Sequence, residues 1–83
     1  MAKVILLREA AQALEELPLV IHSRVLSLLE RLENWPAVSG AKPLTGSLAG
    51  RYRLRTGDYR VQFRVEQQVV IVEKIGHRDR FYE

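Results

Sequence analysis

The apolar residues of this 83-residue chain follow a helical period in the first half and a period of two in the second. A short apolar run at residues 2–7 predicts a first strand, and residues 8–17 carry apolar positions at helical spacing. Pro18 interrupts that pattern where a proline also suits the first turn of a new helix. Between residue 19 and about residue 35, apolar positions recur every three or four residues, which predicts an amphipathic helix. These positions are Ile21, Val25, Leu28, Leu29 and Leu32.

The second half predicts strands. Residues 36–50 hold two prolines and three glycines, which indicates a loop. Apolar and polar residues then alternate along residues 51–56 and 59–65, on either side of a Gly57-Asp58 dipeptide typical of a two-residue hairpin turn. A third run, residues 69–75, completes the order β-α-α-β-β-β. This order predicts one α+β domain over residues 1–83, an antiparallel sheet covered on one face by a helical hairpin.

The hairpin turn fixes a register that separates apolar from basic side chains. Counting outward from the turn, Leu54 opposes Val61 and Tyr52 opposes Phe63, and directly opposed residues share a face. The other face then carries one glutamine and five arginines. These are Gln62, Arg51, Arg53, Arg55, Arg60 and Arg64. A slip of one residue would mix the two sets, so the clean separation supports the register.

The excess positive charge of the chain lies in the half that contains the basic face. The chain has 13 Lys or Arg and 10 Asp or Glu, a net charge of +3. Residues 1–42 balance to zero, so the whole excess lies in residues 43–83. The planar guanidinium suits phosphate, and the opposed pairs Arg55/Arg60 and Arg51/Arg64 are destabilising unless an anion lies between them. A merely solvated basic face, with arginine stems splayed apart, is the alternative.

Several classes of protein are disfavoured. The absence of cysteine excludes disulfides and thiolate metal sites. The two histidines lie far apart in sequence and no phosphate-loop, dinucleotide or zinc-protease motif occurs, so no metal or cofactor is expected. No apolar run approaches a membrane span, and the N-terminal run is too short for a secretory signal. A cytoplasmic protein without membrane association is therefore expected.

Two parts of the chain carry a family resemblance: residues 42–61, from Lys42-Pro43-Leu44-Thr45-Gly46 to Asp58-Tyr59-Arg60-Val61, and the later residues Ile75-Gly76-His77-Arg78 and Tyr82. They resemble the RelE/ParE superfamily of type II toxin–antitoxin toxins, in particular its RelE-like branch. Residues 1–35 match only through their strand–helix–helix pattern. The resemblance implies the RelE-like microbial RNase fold. It also implies a metal-independent, cofactor-free endoribonuclease that cleaves mRNA on the ribosome by attack of the 2′-hydroxyl on the adjacent phosphate.

The same resemblance implies the site and the partners. The catalytic positions carried over are Arg51, Arg53, Arg60, Arg78 and Tyr82. Further RNA-binding positions are Lys42, Arg55, Arg64 and Arg80. Lysine is common in the family where this chain has Arg51 and Arg53, and arginine cannot act as a general base. That role therefore passes to His77 or Tyr82. The implied partners are a cognate antitoxin, the ribosome with its mRNA, and operator DNA bound by the toxin–antitoxin complex.

Two other functions stay open. A ParE-like toxin would inhibit DNA gyrase without nuclease chemistry, and an inactive toxin would act with its antitoxin as an operator co-repressor. The presence of Arg60, His77, Arg78 and Tyr82 favours the nuclease, because an inhibitor that only binds protein has no need of that set.

Overall fold

The computed structural model describes residues 1–81 and shows two helices packed against a five-stranded mixed sheet, which confirms the α+β class. The sheet order is β1-β5-β4-β3-β2. The helices are α1 (Arg8–Glu15) and α2 (Leu19–Leu32). The strands are β1 (Lys3–Leu6), β2 (Lys42–Pro43), β3 (Arg51–Thr56), β4 (Tyr59–Glu66) and β5 (Val69–His77).

The sequence predicts an antiparallel sheet, but the sheet is mixed. Strand β1 pairs in parallel with β5, from Lys3 opposite Val69 to Leu6 opposite Val72. The physical reason is the connection: both helices lie between β1 and the hairpin strands, so β1 reaches the far edge of the sheet. Parallel strands need a long crossover of this kind, usually through helix.

A further strand lies within the segment predicted to be loop. Lys42 and Pro43 pair antiparallel with Arg53 and Tyr52 and form β2 at the other edge of the sheet. Proline cannot donate a ladder hydrogen bond, and an edge strand is where it is tolerated. The two-residue length explains why the pattern of alternation did not reveal it.

The core lies between α2 and the inner face of the sheet. Val25, Leu28 and Leu32 of α2 are buried against a cluster that includes Leu54 and Val61 of the hairpin. An aromatic group closes one side of this core: the Trp35 ring centroid is 4.8 Å from that of Tyr52 and 5.4 Å from that of Phe63. The apolar period of residues 21–32 thus corresponds to the buried stripe of α2.

Within residues 1–81, neither helix has the length and apolar character needed to cross a membrane.

Candidate functional site: an arginine-rich sheet face

The outer face of the β3–β4 hairpin is the basic surface that the sequence predicts. The pairs Arg51 with Arg64, Arg53 with Gln62 and Arg55 with Arg60 are all present, which confirms the predicted register. Leu54 and Val61 are buried on the opposite side, against the helices. We call the surface formed by Arg51, Arg53, Arg55, Arg60, Gln62 and Arg64 the arginine face. Gly57 has a φ of 57° at the first turn position, as a two-residue hairpin turn requires.

A β-bulge adds a carboxylate to one end of the arginine face. The pairing of β4 with β5 passes from Gln62–Lys74 to Phe63–Val72, which leaves Glu73 as the additional residue on β5. Glu73 accepts hydrogen bonds from Arg51 Nε at 2.7 Å and from Arg64 Nη1 at 2.6 Å. A third, longer bond of 3.3 Å comes from Gln62 Nε2. The anion predicted to lie between Arg51 and Arg64 is thus a carboxylate of the chain itself.

These contacts keep Glu73 charged. Burial by itself raises the pKa of the Glu73 carboxyl, but the hydrogen bonds from Arg51, Gln62 and Arg64 and the charge of Arg51 outweigh it and lower the pKa below its ordinary value. The Glu73 side chain is 13% exposed, against 34% and 32% for its two arginine partners. This end of the face is thus a fixed, largely neutralised network.

The other end of the face, next to the hairpin turn, lacks such a partner. Arg60 Nη1 donates to the carbonyl oxygens of Gly57 at 3.0 Å and Tyr59 at 3.3 Å, so its charge meets no carboxylate there. Within residues 1–81, neither Arg53 nor Arg55 forms an ion pair or a side-chain hydrogen bond, and Arg55 is exposed. These three guanidinium groups keep their full charge for an anionic ligand.

Two lysines extend the same row across the sheet. Lys42 pairs with Arg53, and Lys74 pairs with Gln62, so the row runs through four strands. The Lys74 Nζ lies 4.9 Å from the centre of the Phe81 ring. The sequence analysis assigned Lys42 to the RNA-binding residues but not Lys74. The bulge at Glu73 interrupts the alternation of β5, so spacing did not reveal which face Lys74 lies on.

His77 belongs to a separate group at the turn end of the sheet. It pairs with Tyr59, whose ring centroid lies 5.2 Å from its own, and this places it on the helix side and not on the arginine face. Its Nδ1 accepts a hydrogen bond from the backbone N–H of Asp79 at 3.1 Å. Its Nε2 lies 4.0 Å from Asp58 Oδ2. In the neutral imidazole the proton is therefore on Nε2, because Nδ1 is the acceptor.

The segment after β5 is tied to the hairpin turn. The Arg78 backbone N–H donates to the Asp58 carbonyl at 2.7 Å, and the Arg78 Nε lies 3.7 Å from Asp58 Oδ1. Residues Arg78–Arg80 form a short 3-10 turn, and Arg80 is exposed. The turn thus brings Arg78 and His77 to Asp58. Tyr82, predicted from the family resemblance, lies outside the described residues.

The site is an open surface. Residues 1–81 form no pocket, and they place no group of three or more His, Cys, Asp or Glu side chains where a metal ion could be held. A ligand of this face would be held by charge and by hydrogen bonds from the guanidinium groups. Any enclosure of the site would have to come from the ligand itself or from another macromolecule.

The fold and the sequence together identify the family. A model of the ParE toxin of type II toxin–antitoxin systems, parDE, matches residues 4–82. The chain belongs to this toxin family, within the RelE/ParE superfamily. It is a type II toxin–antitoxin toxin. No curated protein sequence matches the chain.

Solved structures of toxins from the same superfamily share this fold. The toxin–antitoxin complex RelBE from Mycobacterium tuberculosis matches with a TM-score of 0.80 and 26% identity, over 93% of this chain and 98% of the other. The archaeal RelE–RelB complex from Pyrococcus horikoshii matches with a TM-score of 0.75 and 30% identity, over 95% and 97%. The isolated RelE toxin of Escherichia coli, at 16% identity and a TM-score of 0.80 over 99% and 89%, supports the fold alone.

In this toxin family member, sequence reasoning placed the arginines correctly and missed what neutralises two of them. Arg51 and Arg64 were assigned from the period of two and the turn, which are local signals. Glu73 reaches the same face only because a bulge interrupts the alternation of β5. A glutamate directly after the apolar run Val69–Val72 was the available signal, since a partly buried acidic residue needs a cationic partner.

Proposed function

We propose that this type II toxin is RelE-like: a metal-independent endoribonuclease that cleaves mRNA on the ribosome, in the cytoplasm, by attack of a 2′-hydroxyl on the adjacent phosphate. The observation that carries the proposal is the turn end of the arginine face, where Arg53, Arg55 and Arg60 keep their charge on an open surface. The 26–30% identity to RelE chains over their full length supports the same branch. The lack of a pocket within residues 1–81 fits a site completed by a ribosome-bound mRNA.

The reaction needs stabilisation of negative charge on the phosphate, and arginines supply it. In the transition state the phosphate oxygens carry more charge than in the substrate, so fixed guanidinium groups favour the transition state. We assign this role to Arg53 and Arg60, with Arg78 contributing from the tail. Arg51 is assigned to the same role by the family resemblance. Its hydrogen bond to the Glu73 carboxylate partly neutralises it, so it stabilises charge on the phosphate less. Lys42, Arg55 and Arg80 are assigned to binding of the RNA backbone. The sequence predicts the same role for Arg64, but its hydrogen bond to Glu73 at 2.6 Å gives it an anionic partner within the chain.

Proton transfer is assigned to His77 and Tyr82. The 2′-hydroxyl must lose a proton and the leaving 5′-oxygen must gain one. The imidazolium form of His77 carries a hydrogen on both ring nitrogens, and it can donate the one on Nε2 to the leaving oxygen and become neutral. The Asp79 carboxylate, 3.5 Å from Nδ1, would hold the remaining hydrogen. Tyr82 is then the candidate base, because the arginines present cannot accept a proton. As a base it would have to be a tyrosinate, the form that arginine charges favour.

The nuclease is tested in a translating extract programmed with a defined mRNA. The unaltered toxin should cut the mRNA within codons, and the double variant Arg60→Ala/Arg78→Ala should cut at least about 100-fold more slowly, since each arginine stabilises transition-state charge. Arg8→Ala/Arg24→Ala removes the same charge from exposed helix positions and should cut at the original rate. Equal cutting by both double variants, each shown to be folded by circular dichroism, contradicts the proposal.

The proton-transfer roles are tested by pH–rate profiles of the same reaction. His77→Ala should remove the limb of the profile that reports the acid, and Tyr82→Phe the limb that reports the base. Wild-type rates and profiles in both variants would show that neither residue transfers a proton.

A second candidate function is inhibition of DNA gyrase, which the match to the ParE family model favours. A gyrase inhibitor would block supercoiling of relaxed plasmid by purified gyrase and would leave mRNA intact in the translating extract. The nuclease predicts the reverse result in both assays. A chain inactive in both would leave the role of operator co-repressor, measured as antitoxin-dependent binding to promoter DNA.

We assign the arginine face to antitoxin binding as well. Relatives in solved structures are bound to RelB antitoxins, and a short acidic, amphipathic antitoxin segment would neutralise this face and exclude RNA. Affinity for such a segment should fall as salt is raised, because the attraction is largely electrostatic. An affinity that does not change with salt argues against this contact.

A further inference from the structure

We propose that Glu73 withholds Arg51 and Arg64, at one end of the arginine face, from RNA, so that within this face the phosphate backbone is bound by the turn end formed by Arg53, Arg55 and Arg60. The inference rests on the proposed function in taking RNA as the ligand. It adds a specificity-determining residue that touches no substrate itself: Glu73 sets how many arginines are available and therefore how much of the RNA backbone is held.

The first support is the geometry of the Glu73 contacts. Each carboxylate oxygen takes a different arginine, Arg51 at 2.7 Å and Arg64 at 2.6 Å, and these are the short, charge-assisted hydrogen bonds expected of a strong pair. The carboxylate is mostly buried, so solvent and salt screen it poorly. A phosphate that approached Arg51 or Arg64 would have to compete with a carboxylate already in place.

The second support is the charge balance of the two ends. At the far end, Glu66 Oε1 lies 3.7 Å from Arg64 Nε, so two arginines face two carboxylates. At the turn end, three arginines face none among residues 1–81. Arg51 and Arg55 are four residues apart on one strand, about 13 Å at the usual rise. This exceeds the Debye length of about 8 Å at physiological salt, so Glu73 and Arg51 act weakly on Arg55. Arg53, about 7 Å from Arg51, lies at the boundary between the two ends.

The third support is that Glu73 owes its position to an irregularity of the sheet. The bulge turns Glu73 toward Arg51 and Arg64, and without it the alternation of β5 would not place both Glu73 and Lys74 against the arginine face. Bulges re-aim side chains near functional sites. The network also includes Gln62, whose amide is buried and donates to the same carboxylate oxygen as Arg51.

The inference is tested by the salt dependence of binding to a fluorescently labelled single-stranded decauridylate RNA, without ribosomes. For single strands the slope of log K against log salt is about −0.7 per phosphate contact, so the three arginines of the turn end contribute about −2, in addition to the contacts of Lys42 and Arg80. Glu73→Gln should steepen the slope by about 0.7 to 1.4, one to two added contacts, and tighten binding at low salt. Glu73→Asp, which keeps the charge, should stay closer to the unaltered chain than Glu73→Gln.

Glu66→Gln is the matched control. It removes the same charge beside the same Arg64, but Glu66 is 64% exposed and makes only the longer contact. Its slope should change by less than half as much as that of Glu73→Gln, because exposed pairs are weak and well screened. Equal slopes for Glu73→Gln and the unaltered chain overturn the inference, and so does weaker binding by Glu73→Gln.

A measurement on the unaltered chain covers the case in which Glu73→Gln does not fold. The Nε–H NMR signals of Arg53, Arg55 and Arg60 should shift as the RNA is added, and those of Arg51 and Arg64 should stay in place. Equal shifts of all five contradict the inference. If RNA binds only at the turn end but mRNA is not cleaved in extracts, the nuclease proposal fails and the role of Glu73 stands. If mRNA is cleaved but Glu73→Gln leaves the salt slope unchanged, the role of Glu73 fails and the nuclease proposal stands.

Discussion

A carboxylate that receives hydrogen bonds from two arginines is favoured in its charged form, and Glu73 is such a group. Its pKa is lowered in the folded chain by Arg51, Gln62 and Arg64, in spite of the burial that raises it. In the unfolded chain these contacts are lost and the pKa returns to its ordinary value of 4.5. The network therefore stabilises the fold above that pH and loses its contribution as the pH falls through the lower, folded value.

This gives a pH-dependent stability that Glu73→Gln should lack. At pH 7 the substitution should lower the free energy of unfolding by about 1–2 kcal/mol, since charge-assisted hydrogen bonds are lost at a partly exposed site. The difference between the two chains should shrink as the pH falls below 4.5 and through the lower pKa of the folded chain. Urea denaturation at a series of pH values measures it, and a constant difference would show that Glu73 stays paired in the unfolded chain or is unimportant in the folded one.

His77 makes a second prediction at the scale of one residue. Because Asp79 N–H donates to His77 Nδ1, the neutral ring should carry its hydrogen on Nε2. Long-range nitrogen–proton NMR correlations at pH 8 distinguish the two ring nitrogens directly. Asp79→Pro removes the donor and should allow a mixture of the two tautomers. A proton found on Nδ1 in the unaltered chain would contradict the hydrogen bond from Asp79 N–H to His77 Nδ1.

At the scale of elements, the two hairpins differ in how well sequence reveals them. Gly57 occupies a positive φ of 57° at no steric cost, so the first turn is recognisable and fixes the register of β3 and β4. The second turn places Gln67 and Gln68 at φ values of 47° and 69°. Glutamine is rarely found there, because a side chain makes left-handed backbone costly. The sequence predicted a turn here but gave no indication of its strain.

The second turn should therefore be improved by substitution. Replacing Gln67-Gln68 with Asn-Gly, the pair preferred in such turns, should raise the free energy of unfolding by about 1–2 kcal/mol. Gly57→Ala in the first turn should lower it by a similar amount, about 1 kcal/mol. Both are read from urea denaturation midpoints. An Asn-Gly chain no more stable than the original would mean that neighbouring contacts select these two glutamines.

The bulge in β5 marks the limit of prediction for the site. Alternation along β3 and β4 gave the arginine face correctly, since both strands follow a period of two without interruption. In β5 the additional residue moves each later side chain to the face opposite the one that simple alternation predicts. The positions of Glu73, Lys74 and His77 relative to the arginines could therefore not be deduced from spacing. Only the partner strand decides where a bulge lies.

At the scale of the whole molecule, the segment after β5 covers part of the outer side of the sheet. Phe81 is 1% exposed although it lies outside the main core. A side chain at Gly76 would have its Cβ 3.7 Å from the Phe81 ring, so the two positions are in contact. Lys74 lies beside the same ring. The sequence placed Phe81 in a tail of polar residues, and no pattern of spacing indicated that it folds back.

Phe81 should therefore matter for stability more than its position near the end of the chain suggests. Phe81→Ala should lower the free energy of unfolding by about 3 kcal/mol, the usual loss for a fully buried phenylalanine. Phe81→Leu should cost about 1 kcal/mol, because much of the buried volume is kept. Denaturation curves of the two variants provide the test. A loss below about 1 kcal/mol for Phe81→Ala would mean that the Phe81 ring is not packed in solution.

The parallel pairing of β1 with β5 has a consequence for how the toxin is made. Lys3–Leu6 is synthesised more than 60 residues before its partner strand, Val69–His77. Until then the edge of β1 has no strand to pair with, and contacts so distant in sequence form late. The sheet of a nascent toxin therefore cannot be completed before β5 has left the ribosome, because β5 lies between β1 and the hairpin strands.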